Sequence, residues 1–266
     1  MGNSPSHSNC LYPLTIVKNT LSSLWRIIER LRRECPWDRK QTLYSLRFSL
    51  IEEAYELYDA LRKRNYKKTE EELGDLLFLT LFLMLIGEEE KRWKIQNLIK
   101  KVSDKLVYRH PHVFKKKRVE NIEDVLINWE KLKRKSSNSI LSGIPRSLPA
   151  LRKAQLIQTR VKRVKFDWQD YRGPLEKMEE EMKELKREIE KGNKARMEEE
   201  LGDLLFSITN LSRHLGLDAE ETLNKSCEKF THRFKKIEKR LSELGKTPSG
   251  SSLEEMDRIW EELKRS

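Results

Sequence analysis

Glu52-Glu-Ala-Tyr-Glu56-Leu57 and Glu70-Glu-Glu-Leu-Gly-Asp75-Leu-Leu-Phe78 recur as Glu180-Glu-Met-Lys-Glu184-Leu185 and Glu198-Glu-Glu-Leu-Gly-Asp203-Leu-Leu-Phe206. At a constant offset of 128, residues 51–80 and 179–208 agree at 15 of 30 positions without a gap. That period far exceeds the 20–50 residues of solenoid repeats, so the chain carries a domain duplication. Within each copy, carboxylates three apart (Glu53 and Glu56, Glu72 and Asp75) share a helix face. A short polar connection near Asn65–Thr69 makes the two helices antiparallel neighbours, so four carboxylates meet across one seam. Glu181, Glu184, Glu200 and Asp203 repeat the arrangement.

Outward from this seam the sequence stays helical. No proline occurs between Trp37 and His110 or between Leu175 and Thr247, and interior proline is what breaks helices. Predicted helices are 14–34, 42–64, 68–87, 91–107 and 121–134, then 149–163, 173–191, 194–215, 218–243 and 252–265, with Gly216 closing one helix and Asp218 capping the next. Lys133-Arg-Lys-Ser-Ser-Asn-Ser139 and Ser142-Gly-Ile-Pro-Arg-Ser-Leu-Pro149 read as a linker. The expected organisation is a disordered tail 1–13, a helical domain 14–134, a linker 135–148 and a second helical domain 149–266. Trp129-Glu-Lys-Leu-Lys-Arg134 is echoed by Trp260-Glu-Glu-Leu-Lys-Arg265.

Composition agrees with an all-α fold. Apolar and charged residues each make up 37% of the 266 residues, against globular averages of roughly 45–50% and 25%. That balance disfavours a parallel sheet, whose strands are near-continuous apolar runs. With only 10 Gly and 8 Pro, a many-turned β fold is also disfavoured. The longest largely apolar run, Leu76–Ile86, is too short to span a bilayer. Cys10, Cys35 and Cys227 form no paired framework, which suits a reducing cytoplasm. The net charge of +12 points to anionic partners.

Converging carboxylates repel one another, and burying them unpaired costs several kcal/mol. Divalent cations are the simplest remedy, and an all-oxygen donor set selects Mg²⁺ or Mn²⁺. Asp75 lies in an apolar run and is expected to point partly inward. Gly74 and Gly202 are expected to mark a close approach of a helix or a ligand, since glycine inside a helix costs about 1 kcal/mol relative to alanine. A di-iron centre would need a Glu-x-x-His pair on each of two helices, and no histidine follows these glutamates at that spacing. His110 and His112 form a lone His-x-His without cysteine partners, weak evidence for zinc.

From about residue 14 onward the chain resembles the MazG family of nucleoside triphosphate pyrophosphohydrolases in its tandem two-domain form. The residues that carry the resemblance are Cys35-Pro-Trp-Asp38 with Gln41-Thr42, the two acidic motifs, and Arg109-His-Pro-His-Val-Phe114. Ile144-Pro-Arg-Ser-Leu-Pro-Ala-Leu151, Phe166-Asp-Trp168, Lys229-Phe-x-x-Arg233-Phe234 and Trp260-x-x-x-Lys264 complete it. Cys227 and Arg196 stand where the family usually has asparagine and lysine. The resemblance implies a homodimer, Mg²⁺-dependent hydrolysis of an NTP to an NMP and diphosphate, and nucleotide-pool cleansing or alarmone control. It implies metal ligation by Glu181, Glu184, Glu200 and Asp203. The nucleotide site would be lined by Lys177, Met178, Glu179, Glu180 and Glu181, by Arg196, Met197, Glu198 and Glu199, by Lys229, Phe230, Thr231, His232 and Arg233, and by Trp260 and Lys264.

Phosphoryl chemistry needs positioning and charge neutralisation more than covalent catalysis. Lys229 and Arg233, four apart on one helix, suit phosphate oxygens, and Trp260 offers a flat face for a base. Glu180, with Glu52 in the first copy, is the expected general base. The alternative reading is a basic helical module that binds nucleic acid or regulates, supported by Lys115-Lys-Lys-Arg118 and Arg160-Val-Lys-Arg-Val-Lys165. Two acidic clusters would repel a phosphate backbone in such a module. A membrane partner is not expected. The second copy is favoured as the catalytic one because it retains the Lys229–Arg233 string and Trp260.

Overall fold

The computed structural model describes residues 14–115 and 139–265, together with residues 121 and 125. The expected tail 1–13, nearly all of the expected helix 121–134 and part of the expected linker fall outside these residues. The chain divides into two compact units, residues 1–118 and 119–266. All described elements are helices, as the proline and charge patterns predict.

The first unit contains α1 (Leu14–Glu34), a 3₁₀ turn (Asp38–Lys40), α2 (Arg47–Arg62), α3 (Tyr66–Glu89), α4 (Ile95–Arg109) and the short α5 (Pro111–Phe114). The second contains α6 (Ala150–Lys162), α7 (Arg172–Lys191), α8 (Lys194–His214), α9 (Ala219–Glu243), a 3₁₀ turn (Pro248–Gly250) and α10 (Leu253–Arg265). Most of these bounds match the expected helices to within two residues. The largest difference is at α2, expected from residue 42 and beginning at Arg47, because Thr42 and Ser45 cap each other's backbone and hold a turn there.

The duplicated seam is a helical hairpin in each unit, and both hairpins close in the same way. Arg64 (φ +52°) and Gly192 (φ +69°) take the left-handed conformation just past the first helix. The following amide reaches back to a carbonyl five residues earlier, Asn65 to Ala60 and Asn193 to Glu188, the Schellman closure. Each asparagine then caps the next helix, Asn65 accepting from the Lys68 amide and Asn193 from the Arg196 amide. A turn this short returns the second helix along the first, placing the two acidic motifs side by side. Asp218 caps α9 by accepting from the Glu221 amide, and Gly216 (φ +74°) follows α8.

The two cores differ. In the first unit Ile28 of α1 and Leu79, Phe82, Leu85 and Ile86 of α3 form one buried cluster with Leu46. In the second, Ile237 and Leu241 of α9 bury against Ile259 of α10, with Phe234, Met256, Trp260 and Leu263 around them. Buried Arg160 donates to the carbonyls of Ile140 and Ser142, at 3.1 and 2.7 Å, tying residues 140–142 to the second unit.

Candidate active site

Three of the four predicted carboxylates converge in each unit. Glu53, Glu72 and Asp75 present oxygens within 4.8 Å of one another, and so do Glu181, Glu184 and Glu200. The member outside the trio differs, Glu56 in the first unit and Asp203 in the second. Asp75 and Asp203 are exposed rather than inward-facing, and the buried acids are instead Glu72, Glu181 and Glu200. The helical phase explains this correction, since Glu72 and Glu200 face the preceding helix while the aspartates sit toward the rim.

Nor are the buried acids unpaired. Each takes a cation from one turn earlier on its own helix: Lys68 to Glu72 at 2.9 Å, Lys177 to Glu181 at 2.6 Å and Arg196 to Glu200 at 3.0 Å. Charge crowding persists despite the pairing. Burial pushes the Glu200 carboxyl up against the pull of Arg196, and Glu184, Glu181 and Glu199 add to the rise. Glu53 is likewise raised, by burial and then by Asp75, Glu56 and Glu72. Lys177 bridges Glu180 and Glu181, and these hold its ammonium above the ordinary value. At the matching position the first unit has Ser49.

Gly74 and Gly202 do not serve close helix packing, because an added Cβ would meet nothing within 4 Å at either position. Gly202→Ala is therefore expected to fold and to gain up to about 1 kcal/mol in urea unfolding. A glycine that does tolerate no side chain is Gly173 at the start of α7, where a Cβ would overlap the Trp168 indole.

Beside the second acidic trio lies a cleft of about 420 Å³. Lys177, Glu181 and Asp203 form one part of its wall, Phe166, Trp168 and Phe206 its aromatic part, and Gln158, Ser207, Asn210 and Arg213 its polar wall. Apart from Gln158 on α6, that wall belongs to a stripe along α8 on which Glu200, Asp203, Ser207, Asn210 and Arg213 follow at intervals of three or four. At the same offset of 128 the first unit has Glu72, Asp75, Leu79, Phe82 and Leu85. Leu79, Phe82 and Leu85 are buried core residues there. What lines a cleft in one copy is thus packed interior in the other.

Of the remaining expected residues, Glu199 pairs with Arg196 and Lys264 with Glu261. Met178 and Met197 are half-buried, and Glu179, Glu198, Lys229, Thr231 and His232 are exposed. Phe230 packs on Trp260 with ring centroids 5.1 Å apart, and the Arg233 guanidinium lies over the Trp260 ring at 5.5 Å. Among the described residues, no hydrogen bond or ion pair links Lys229 or Arg233 to the acidic trio. His110 and His112 meet edge to face and gather no metal-ligand cluster among the described residues. The sequence reading passed over Gln158, Ser207, Asn210 and Arg213. The available signal was polar residues on helix faces that otherwise carry apolar ones.

The profile of the MazG nucleotide pyrophosphohydrolase domain matches residues 41–114 and again 169–238. The nucleoside triphosphate pyrophosphohydrolase of Escherichia coli (strain K12) is 40% identical over 257 residues, covering 93% of this chain and 98% of that protein. The nucleoside triphosphate pyrophosphohydrolase/pyrophosphatase MazG of Thermotoga maritima is 43% identical over 243 residues, covering 90% and 93%. A solved MazG-related protein from Thermotoga maritima is 29% identical, covers 42% of this chain and 98% of its own, and has a TM-score of 0.39. With both acidic hairpins inside the matched segments, the chain belongs to the MazG nucleotide pyrophosphohydrolase family.

Proposed function

We propose that the chain hydrolyses nucleoside triphosphates between the α and β phosphates, using the second acidic site. Water attacks the α-phosphorus, the α–β anhydride bond breaks, and an NMP and diphosphate leave. The observation that carries this reading is the convergence of Glu181, Glu184 and Glu200 beside a cleft large enough for a nucleoside. The donor set fits a hard divalent cation: three carboxylates, no nitrogen or sulfur, and charge crowding that a cation would relieve. Glu181, Glu184, Glu200 and Asp203 would hold Mg²⁺ or Mn²⁺, which neutralises polyphosphate oxygens and makes bound water more acidic.

The chain's own residues do the rest. Glu180, exposed and 3.0 Å from Lys177, takes the proton of the attacking water. Lys177 and Arg196 spread positive charge along the acidic rim, and Lys229 and Arg233 of α9 supply further cations for the polyphosphate. The first unit keeps an acidic trio but has core side chains where the second has its cleft wall, so we assign turnover to the second. The protein works as a homodimer, supported by apolar side chains exposed at the same repeat positions in both units, Leu73 and Leu201, and Leu77 and Leu205. No described helix is long and apolar enough to cross a membrane, and Cys35 and Cys227 are free thiols. Both accord with work in the cytoplasm on the nucleotide pool.

Incubation with mixed NTPs and Mg²⁺ tests the reading. Equal amounts of NMP and diphosphate should appear, and EDTA should stop their release. No diphosphate with Mg²⁺ or Mn²⁺, together with steeply salt-dependent DNA binding, would establish the nucleic-acid module instead.

A further inference from the structure

Residues 33–48 form the elbow between α1 and α2 of the first unit, and three large rings stand out from it. Trp37, Tyr44 and Phe48 are 60, 72 and 62% exposed. The backbone that carries them is fixed. Arg32 donates to the Asp38 and Gln41 carbonyls at 2.5 and 2.9 Å. The Gln41 side chain donates to the Trp37 carbonyl and accepts from the Ser45 hydroxyl, and Thr42 and Ser45 cap each other's amides. Two of the rings are held as well. The Arg47 guanidinium lies over Tyr44 at 3.6 Å and over Phe48 at 4.1 Å, a cation–π arrangement. Large rings left in water on a fixed mount mark a docking surface. The helical fold does not require them, because at the offset of 128 the second unit has Lys165, Arg172 and Glu176.

Charge decides what docks. Arg33, Arg39, Lys40 and Arg47 are exposed, and among the described residues no ion pair engages them. Of the two acids in the elbow, Asp38 is buried and Glu34 pairs with Arg30. We propose that this elbow binds single-stranded nucleic acid, with bases stacking on Trp37, Tyr44 and Phe48 and phosphates meeting the four cations. Stacking on a ring needs a base with a free face, which a single strand offers and a duplex does not. Cation–phosphate contacts read no sequence, so binding tolerates many sequences. The site ends at Phe48, because Glu52, Glu53 and Glu56 follow on α2 and repel phosphate. Exposed Ile51, Tyr55 and Tyr58 continue the apolar face among those acids, and a second copy of the chain is the competing occupant. The elbow is separate from the second acidic site, so binding there accompanies hydrolysis and does not replace it.

Fluorescence anisotropy of the full chain with a labelled oligodeoxythymidylate of about 12 nucleotides tests the proposal. The single strand should bind more tightly than its duplex with oligodeoxyadenylate. Tyr44→Ala and Phe48→Ala should each weaken binding roughly five- to a hundredfold. Tyr66→Ala, which removes a ring 78% exposed outside the elbow, should leave it unchanged. Arg39→Gln and Lys40→Gln should each flatten the slope of log Kd against log salt by about 0.7. All these side chains are exposed, so the variants should melt as the wild type does and keep its kcat/KM for NTPs. No binding of the single strand by the wild type, equal binding of the duplex, or binding unmoved by Tyr44→Ala and Phe48→Ala combined would overturn the proposal. Sedimentation of that double variant addresses the competing occupant. Unchanged self-association supports the nucleic-acid site, and weakened self-association would assign the face to a second copy and overturn it.

Discussion

Glu200→Gln lowers kcat/KM for NTP hydrolysis by at least about a hundredfold, and Glu72→Gln leaves it unchanged. The two residues occupy the same repeat position, are equally buried at 4% exposure, and each carries a cation from one turn earlier. They differ in what surrounds them. Loss of groups that merely support a ligand costs about 10–100-fold in metal affinity or activity, and loss of one carboxylate from a three-carboxylate site should cost more. In the first unit Phe82 and Leu85 are packed core where the second has the cleft-lining Asn210 and Arg213, so the wall that continues from Glu72 is apolar interior. Neither change should unfold the protein. Each removes a charge from a crowded trio, and the cation left behind is about half exposed in both units, so water can solvate it. Steady-state kinetics on both variants, with unfolding curves to confirm the fold, checks the prediction. Equal losses would make both sites catalytic, and a loss confined to Glu72→Gln would reverse the assignment.

The contrast between those two residues shows where the sequence was readable. Helices, the short connection within the hairpin and the acidic seam follow from local rules: spacing of three or four, a polar turn between two helices, and proline at the borders. Those rules act within a few residues and survive intact in both copies. Which acids are buried did not follow, because the burial of Glu72 over Asp75 depends on which side of α3 the neighbouring helix covers. The cleft was harder still. Gln158 and Asn210 lie on helices far apart in sequence, and only packing of α6 on α8 brings them onto one wall. Comparing the copies beyond the acidic motif would have exposed it, since Ser207, Asn210 and Arg213 replace Leu79, Phe82 and Leu85. A change from apolar to polar at three successive core positions cannot be conservative repacking; it requires a wall facing something polar.

Asp167→Ala is expected to destabilise the second unit by about 3–5 kcal/mol, because it strands a buried cation. The Asp167 carboxylate accepts from Arg213 at 2.9 and 2.5 Å and from His214 Nε2 at 3.0 Å. The side chains of Asp167, Arg213 and His214 are only 10, 10 and 8% exposed. Removing the acid leaves Arg213 with Asn210 alone, whose amide oxygen bears no charge to compensate it. A loss of that size lowers the melting temperature by roughly 10–20 °C for a domain of this length. Asp170→Asn, three residues away, breaks a pair with Arg172 whose side chains are 42 and 74% exposed, and should cost less than about 1 kcal/mol. The effect should also depend on pH. Burial pushes the Asp167 carboxyl up, but hydrogen bonds and charge from Arg213 and His214 outweigh it and hold the group below its ordinary value. A depressed carboxyl contributes its full stability above the unfolded value, near pH 4, and loses it as the pH falls through the lowered one. The gap between wild type and Asp167→Ala should therefore be widest at neutral pH and close in acid, which urea unfolding at several pH values reads directly. A gap independent of pH would mean that the loss comes from packing rather than charge. Because Asp167 sits between Phe166 and Trp168, the same variant should loosen the aromatic part of the cleft and raise KM more than it lowers kcat. That result would tie the stability of this ion pair to the placement of the substrate.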